Sequence, residues 1–297
     1  MAGVIRIVSL CLIVACAGLA RAQDEPILQP ETQPTHEPNA RRLGFFSGTY
    51  NRCEFDQPRF QIEPFVWYAS PGGSVGFTEN DLQTTKDLSI DDPRIGGGVE
   101  AHFRQGPWRL SLLGSTTSQH GGSVAQNAMT LGSLTVAPGD TLVTEIDLDT
   151  FGLRAGYQIW SYATDLDEFG VQLMRSTFEA VVGLRAYDYD LSVSRTSGIP
   201  ASNQGDMFHI EPIVGFKWAV EFDEKYGIDL STNFGYLPEI DDQSSSSLDI
   251  TAGFRYSPVP NVAAQIGYRL LVFDLSSDEV EAEGALAGLY GGLSISF

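Results

Sequence analysis

Few residues in this sequence are of a type that does chemistry at neutral pH. There are four histidines, His36, His102, His120 and His209. Ser123 follows His120 by three positions, and Asp206 and Glu211 flank His209. A histidine oriented by a carboxylate is the usual base for activating water or a serine, so these groupings are the candidates for hydrolysis. No nucleophile-elbow motif surrounds either of them, and a histidine at a rim is more often solvated or bonded inside the fold. No catalytic residue is assigned.

Metal and phosphate chemistry have even less support. Asp278, Glu279, Glu281 and Glu283, and again Glu239, Asp241 and Asp242, supply the hard oxygens that calcium or magnesium accept, but neither set has the spacing of a calcium loop. No zinc-type Cys/His set and no glycine-rich phosphate cradle occurs, so no metal and no cofactor is expected. Eighteen Lys and Arg against 38 Asp and Glu give a net charge of -20, which opposes binding to nucleic acid.

A third set of charges is defined by alternation. Glu63, Glu100, Arg104, Arg154, Glu179, Arg185, Glu211, Lys217, Arg255 and Arg269 each sit in a segment of alternating polarity, on the polar parity. Arg94, Arg109, Arg175, Asp229 and Asp249 share this placement. Successive strand residues point to opposite faces, so each segment has one apolar face and one charged, small or polar face. The final segment shows the pattern well: Ala285, Ala287, Leu289, Leu293, Ile295 and Phe297 oppose Gly284, Gly288, Tyr290, Gly292, Ser294 and Ser296.

The elements that must position these charges are strands. Alternation predicts ten of them, roughly 60–69, 94–104, 107–117, 142–160, 171–193, 208–221, 226–236, 248–256, 261–273 and 284–297. Short connections such as Gln105-Gly106-Pro107 take turns with longer ones near 70–93, 118–141, 194–206, 237–247 and 274–283. Within 142–160 the apolar parity changes near Asp149-Thr150, and within 171–193 near Ala186-Tyr187, which predicts a bulge in each and strand ends standing above a membrane. Tyr157, Trp218, Tyr226, Tyr236, Tyr256 and Phe297 fall near strand ends on the apolar parity, as interfacial girdles do.

The N-terminal segment indicates export. Arg6, the apolar run Ile7–Ala20 and the small-x-small site Ala20-Arg21-Ala22 have the form of a secretory signal over residues 1–22, with cleavage near Ala22. Cys16 in Ile13-Val14-Ala15-Cys16 offers a lipidation site as the alternative. Residues 23–57, with Pro26, Pro30, Pro34 and Pro38 at regular intervals, read as a periplasmic linker, and Cys53 has no partner for a disulfide once the leader is removed. No later run has the roughly 20 apolar residues of a spanning helix, so entry into a membrane requires a closed barrel over 58–297.

The C-terminal Gly-Leu-Tyr-Gly-Gly-Leu-Ser-Ile-Ser-Phe297 resembles the last strand of Gram-negative outer-membrane barrels. Glu211-Pro212-Ile213-Val214-Gly215-Phe216 and Gly267-Tyr268-Arg269-Leu270 are similar to segments of small porin-like members of that group. The resemblance implies an all-β transmembrane antiparallel barrel in the bacterial outer membrane, with short periplasmic turns and long extracellular loops. It also implies that Leu293, Ile295 and Phe297 are read by the barrel-assembly machinery. The remaining partners would be outer-membrane lipids and lipopolysaccharide, with divalent cations between the acidic loops and the lipid phosphates.

A small barrel has a lumen that side chains largely fill, and the ten alternating charges are expected to pair across it. The main expectation is a non-enzymatic barrel with a narrow lumen and a structural or surface-interaction role. A weakly anion-favouring pore lined by the same arginines is the alternative. A hydrolase at the outer rim, similar to omptin-type proteases or lipid A deacylases, comes third, because neither motif is present.

Overall fold

In a computed structural model, the described residues are 59–297 except 79–80, 165–172, 224, 241–242 and 260. The signal segment 1–22, Cys16, the linker 23–57 with Cys53, and the barrel boundary at 58 lie outside the described residues.

Among the described residues thirteen strands follow in order: β1 Arg59–Gly76, β2 Gln83–Thr84, β3 Arg94–Gln105, β4 Trp108–Val124, β5 Met129–Leu131, β6 Leu134–Val136, β7 Thr141–Ala163, β8 Met174–Arg195, β9 Ala201–Phe222, β10 Tyr226–Ile240, β11 Gln243–Val259, β12 Val262–Ser276 and β13 Glu281–Ser296. The ten long ones are hydrogen-bonded antiparallel in the sequence β1-β3-β4-β7-β8-β9-β10-β11-β12-β13. β13 returns to β1, from Gln61 opposite Ser296 to Gly76 opposite Glu281. Closure removes the sheet edges, so the backbone polar groups of the ring find partners within it.

Alternation decides what each side of the ring faces. Val66, Ile95, Val99, Val182, Val214 and Ile266 point outward and are exposed as an apolar band, while Glu63, Glu100, Arg154, Glu179 and Arg255 point inward. Aromatic side chains border the band. On the side of the chain ends Phe60 meets Phe297, Trp108 meets Tyr157, and Tyr226 stacks on Tyr256; on the far side Tyr68, Phe208 and Tyr236 are exposed.

Beyond that outer belt the strands continue and the two faces exchange character. On β8 the inward row runs Glu179, Val181, Gly183, Arg185, Tyr187, Tyr189, Leu191, Val193 and becomes a buried apolar core, while the outward row runs Val182, Leu184, Ala186, Asp188, Asp190. On β7 the outward row likewise passes from Leu153 and Phe151 to Asp149, Asp147 and Glu145, with Leu148, Ile146 and Leu142 buried inside.

This corrects the expected bulges near Asp149-Thr150 and Ala186-Tyr187. The β7–β8 register is unbroken from Leu142 opposite Arg195 to Gln158 opposite Glu179, and its one shift lies at Gln158/Trp160, at the other end. The apolar parity changes because the outer medium changes from hydrocarbon to water; the pleat itself continues.

The loop expectations change for the same reason. Most of 194–206, 237–247 and 274–283 is strand, continuing into β8, β9, β10, β11, β12 and β13 and closing in short turns. The long connections are 77–93 and 125–140, and they fold into the outer mouth. Phe77, Leu88, Ile90, Leu131, Leu134 and Val136 are buried against Trp67, Tyr187, Leu191, Leu271, Phe273 and Leu286.

The inversion makes a paired prediction on one strand. Val182→Lys places a charge in the middle of the apolar band and should lower folding stability in lipid vesicles by about 2–4 kcal/mol. Ser192→Lys, on the same outward row above the belt, should change it by no more than about 0.5 kcal/mol. Urea titrations of the two variants, read by tryptophan fluorescence, test this; equal losses would contradict the change of medium.

Candidate functional site: the lumen and its outer closure

The pleat directs the polar row of every long strand into one narrow space, where most of the inward charges form three groups and buried Arg175 of β8 stands opposite Glu221 of β9. Nearest the outer core, Arg185 lies 3.9 Å from Glu211 and 3.3 Å from Asp249, and Arg269 lies 2.9 Å from Asp249. Ser245 donates to Glu211 at 3.2 Å, and Ser247 donates to its other oxygen. Arg185 also donates to the Tyr187 hydroxyl and to Ser247, each at 3.1 Å. Glu211 is fully buried, so these donors replace the water it has lost.

The second group is a chain. Lys217 is 3.9 Å from Asp229, Arg255 is 3.4 Å from Asp229 and 3.3 Å from Glu63, and Glu63 is 3.4 Å from His102. His102 is in turn 3.6 Å from Glu100, which also pairs with Arg154. In the third group, Glu179 takes Arg104 on one oxygen and Arg109, at 2.9 Å, on the other.

All ten residues singled out by alternation therefore point inward into ion pairs. His102, Arg109, Asp229 and Asp249 join them. Alternation places the last three on the inward row; the spacing of His102 two residues after Glu100 carries the same signal. Among the described residues, cavities of about 90 Å³ and about 50 Å³ lie between the groups. Each has room for only a few waters.

Above the charges the interior is mainly apolar, with His209, Gln119 and Thr144 buried among the hydrocarbon side chains. Arg269 stacks over the Trp67 ring at 4.9 Å and Arg185 lies 6.0 Å from the Tyr187 ring, at the junction of the two media. The closure is held by polar latches. Asp81 accepts from the backbone N–H groups of Phe77 and Thr78, each at 2.8 Å, and from Gly132 at 2.5 Å, tying 77–93 to the β5–β6 hairpin. Gly132 has φ 58°, and a Cβ there would meet the Asn203 amide at 2.0 Å, so glycine suits this turn on both counts. Arg195 donates to Thr135 at 2.7 Å, fixing the same hairpin to β8.

The hydrolytic groupings do not assemble. His209 points inward and is 1% exposed, while Asp206 points outward on the same strand. Glu211 shares the face of His209 but is taken by Ser245 and Ser247. His120 points outward and Ser123 inward. Sequence proximity misled here because residues an odd number apart on a strand face opposite ways. Of the acidic loop groups, Asp241 and Asp242 lie outside the described residues, and Glu281 and Glu283 belong to β13.

A closed antiparallel ring with apolar side chains outside, aromatic borders and paired charges inside suits hydrocarbon and not water. The chain is a transmembrane-type antiparallel β-barrel. No protein-family model matches it, and no curated protein does. Solved structures similar to it include Neisserial surface protein A, at 14% identity over 80% of this chain and 97% of that one, with a TM-score of 0.34. Ail, the attachment invasion locus protein of Yersinia pestis, is 10% identical over 80% of this chain and 99% of its own, with a TM-score of 0.33. The toluene transporter TodX of Pseudomonas putida is 10% identical over 81% and 90%, with a TM-score of 0.28. The assignment to a membrane barrel rests on the ring and its two faces.

On the outer surface above the belt, Asp149 stands opposite Asp188, Asp147 opposite Asp190, and Asp190 opposite Asp206. Like charges in cross-strand positions repel. Partial burial first, then the charges of Asp188, Asp206, Asp147 and Asp149, raise the Asp190 carboxyl above its usual range. The native state thus holds this proton more tightly than the unfolded chain. The associated stabilisation is complete below the unfolded carboxylate range, near pH 3.9, and is lost as pH rises through the raised native value. Asp190→Asn should therefore raise the urea midpoint at pH 7 and leave it unchanged near pH 3; an equal effect at both values would contradict the repulsion.

Inside the lumen, Arg185→Ala leaves Glu211 and Asp249 short of a partner and should cost about 3–5 kcal/mol. Equilibrium unfolding of the refolded barrel in detergent measures it, and a loss below about 1 kcal/mol would show that the pair is solvated.

Proposed function

We propose that this outer-membrane barrel is non-enzymatic and closed to solutes, with a structural or surface-interaction role carried by its outer end. One observation supports this reading above others: the lumen is filled twice over, by paired charges in the membrane and by an apolar core with two inserted loops above it. A conducting path would need water along a charge-lined channel, whereas the described cavities between these side chains measure about 90 and 50 Å³.

The outer end then offers a rigid acidic wall to its surroundings. Asp147, Asp149, Asp188, Asp190 and Asp206 stand just above the apolar band, where lipopolysaccharide phosphates lie, and contact between the two would need divalent cations. Leu293, Ile295 and Phe297 would serve as the signal for the barrel-assembly machinery. Leu293 and Phe297 are exposed on the outward row, Ile295 shares that row, and the Phe297 N–H bonds to Phe60 at 2.8 Å where β13 meets β1. Lipids, lipopolysaccharide and the assembly machinery are the partners this reading implies.

Planar-bilayer recording of the refolded protein tests closure. The expected trace has no conductance steps above the lipid background. Steps whose size or selectivity changes in Arg255→Ala or Arg269→Ala would overturn it in favour of a small-solute pore.

A further inference from the structure

We propose that Glu63, Glu100 and His102 form a divalent transition-metal site on the lumen wall, beside the seam at which the barrel closes. One carboxylate oxygen from each glutamate and one imidazole nitrogen lie within 4.8 Å of one another. Strand geometry brings them together: Glu100 and His102 are two residues apart on one face of β3, and Glu63 of β1 stands directly opposite Glu100. Two carboxylates in opposed positions repel; Arg255 and Arg154 offset part of that repulsion, and a shared cation would relieve the rest.

Glu63 faces the ring at Nε2, while Glu100 Oε1, which pairs with Arg154, stands 3.6 Å from Nδ1, so a shared ion requires the Glu100 carboxylate to swing towards Nε2. Glu63 Oε1 accepts from Gln61 at 2.5 Å and Ser294 at 2.8 Å and lies 3.3 Å from Arg255. Its other oxygen, Oε2, is the one that faces His102 Nε2, at 3.4 Å. In a tetrahedral site with metal–ligand distances of about 2.0–2.1 Å, neighbouring ligands stand about 3.3–3.4 Å apart. The remaining ring nitrogen, His102 Nδ1, is 2.8 Å from Ser111 Oγ. Metal-bound histidines use a partner of this kind to fix ring orientation and tautomer.

Glu63 and Glu100 also line the cavity of about 90 Å³, which gives space for a water as fourth ligand. One imidazole with two carboxylates is a donor set that zinc and its neighbours accept. An ion here would link β1 to β3 and, through the Ser294 contact to Glu63, to β13. It would act as a staple at the seam, whether or not the barrel conducts.

Zinc itself is the probe. The full chain, refolded in detergent and stripped with chelator, should bind one zinc ion per barrel in equilibrium dialysis, and its thermal midpoint should rise on zinc addition. His102→Gln, which can keep a bond to Ser111, and Glu63→Gln should each weaken binding at least tenfold and lose the thermal shift. His120→Ala and Cys53→Ser should change neither. Cobalt in the unmutated chain should give the visible absorption of a four-coordinate site, a readout that needs no variant to fold. Absence of stoichiometric zinc, absence of the cobalt bands, or undiminished binding in His102→Gln would overturn the site and leave His102 as an ion-pair bridge between the two glutamates.

Discussion

Each strand of this barrel has one fixed alternation and meets two different media along its length. Within the membrane the outside is hydrocarbon, so the outward row must be apolar and the charges turn inward. Above the membrane the outside is water, so the outward row can carry Asp147, Asp149, Asp188 and Asp190 while the inward row must form a core. The pleat cannot change hands without a bulge, and the register of β7 with β8 shows none at this level. The side chains change instead, and nearly everything else about the molecule follows from where that change occurs.

Below the change, the inward row must bury charge without stranding it. A lumen this narrow cannot keep seven or more cations and their counter-ions hydrated, so each group is offered partners from several strands. Arg185, Arg269, Asp249 and Glu211 come from β8, β12, β11 and β9, and their pairing fixes the relative heights of those strands as well as neutralising them. Above the change, an open ring of strands would expose its inner row to water. The segments 77–93 and 125–140 supply the missing apolar side chains, and Asp81 and Arg195 hold them with backbone-directed bonds rather than with burial alone. The Trp67–Arg269 and Tyr187–Arg185 contacts sit at the border, where an aromatic face can meet a guanidinium on one side and hydrocarbon on the other.

Much of this was legible in the sequence. Alternation assigned Glu63, Glu100, Arg154, Glu179 and Arg255 to one face because a strand leaves no third choice of direction. Aromatics such as Tyr226, Tyr256 and Trp218 marked strand ends. The same local logic misread Asp149-Thr150 and Ala186-Tyr187, since a change of medium and a bulge leave identical traces in a hydropathy pattern. It also treated 237–247 and 274–283 as loops, because strand residues whose outer face meets water are as polar as loop residues. His102 was not grouped with the lumen charges for a different reason: it is two residues from Glu100 in sequence, but its relation to Glu63 exists only across β1 and β3.

The sequence alone determined the class of architecture and the direction of each side chain, because period-two alternation is a local property of an extended backbone and needs no partner to be expressed. Which charge meets which, where the interior turns apolar, and how two loops fill the outer mouth were decided by the tertiary structure. Those outcomes depend on stagger and closure, in which Gln61 of β1 meets Ser296 of β13 and places every other residue around the ring at its height. Distances across a lumen are set by that ring as a whole, and no single strand contains them.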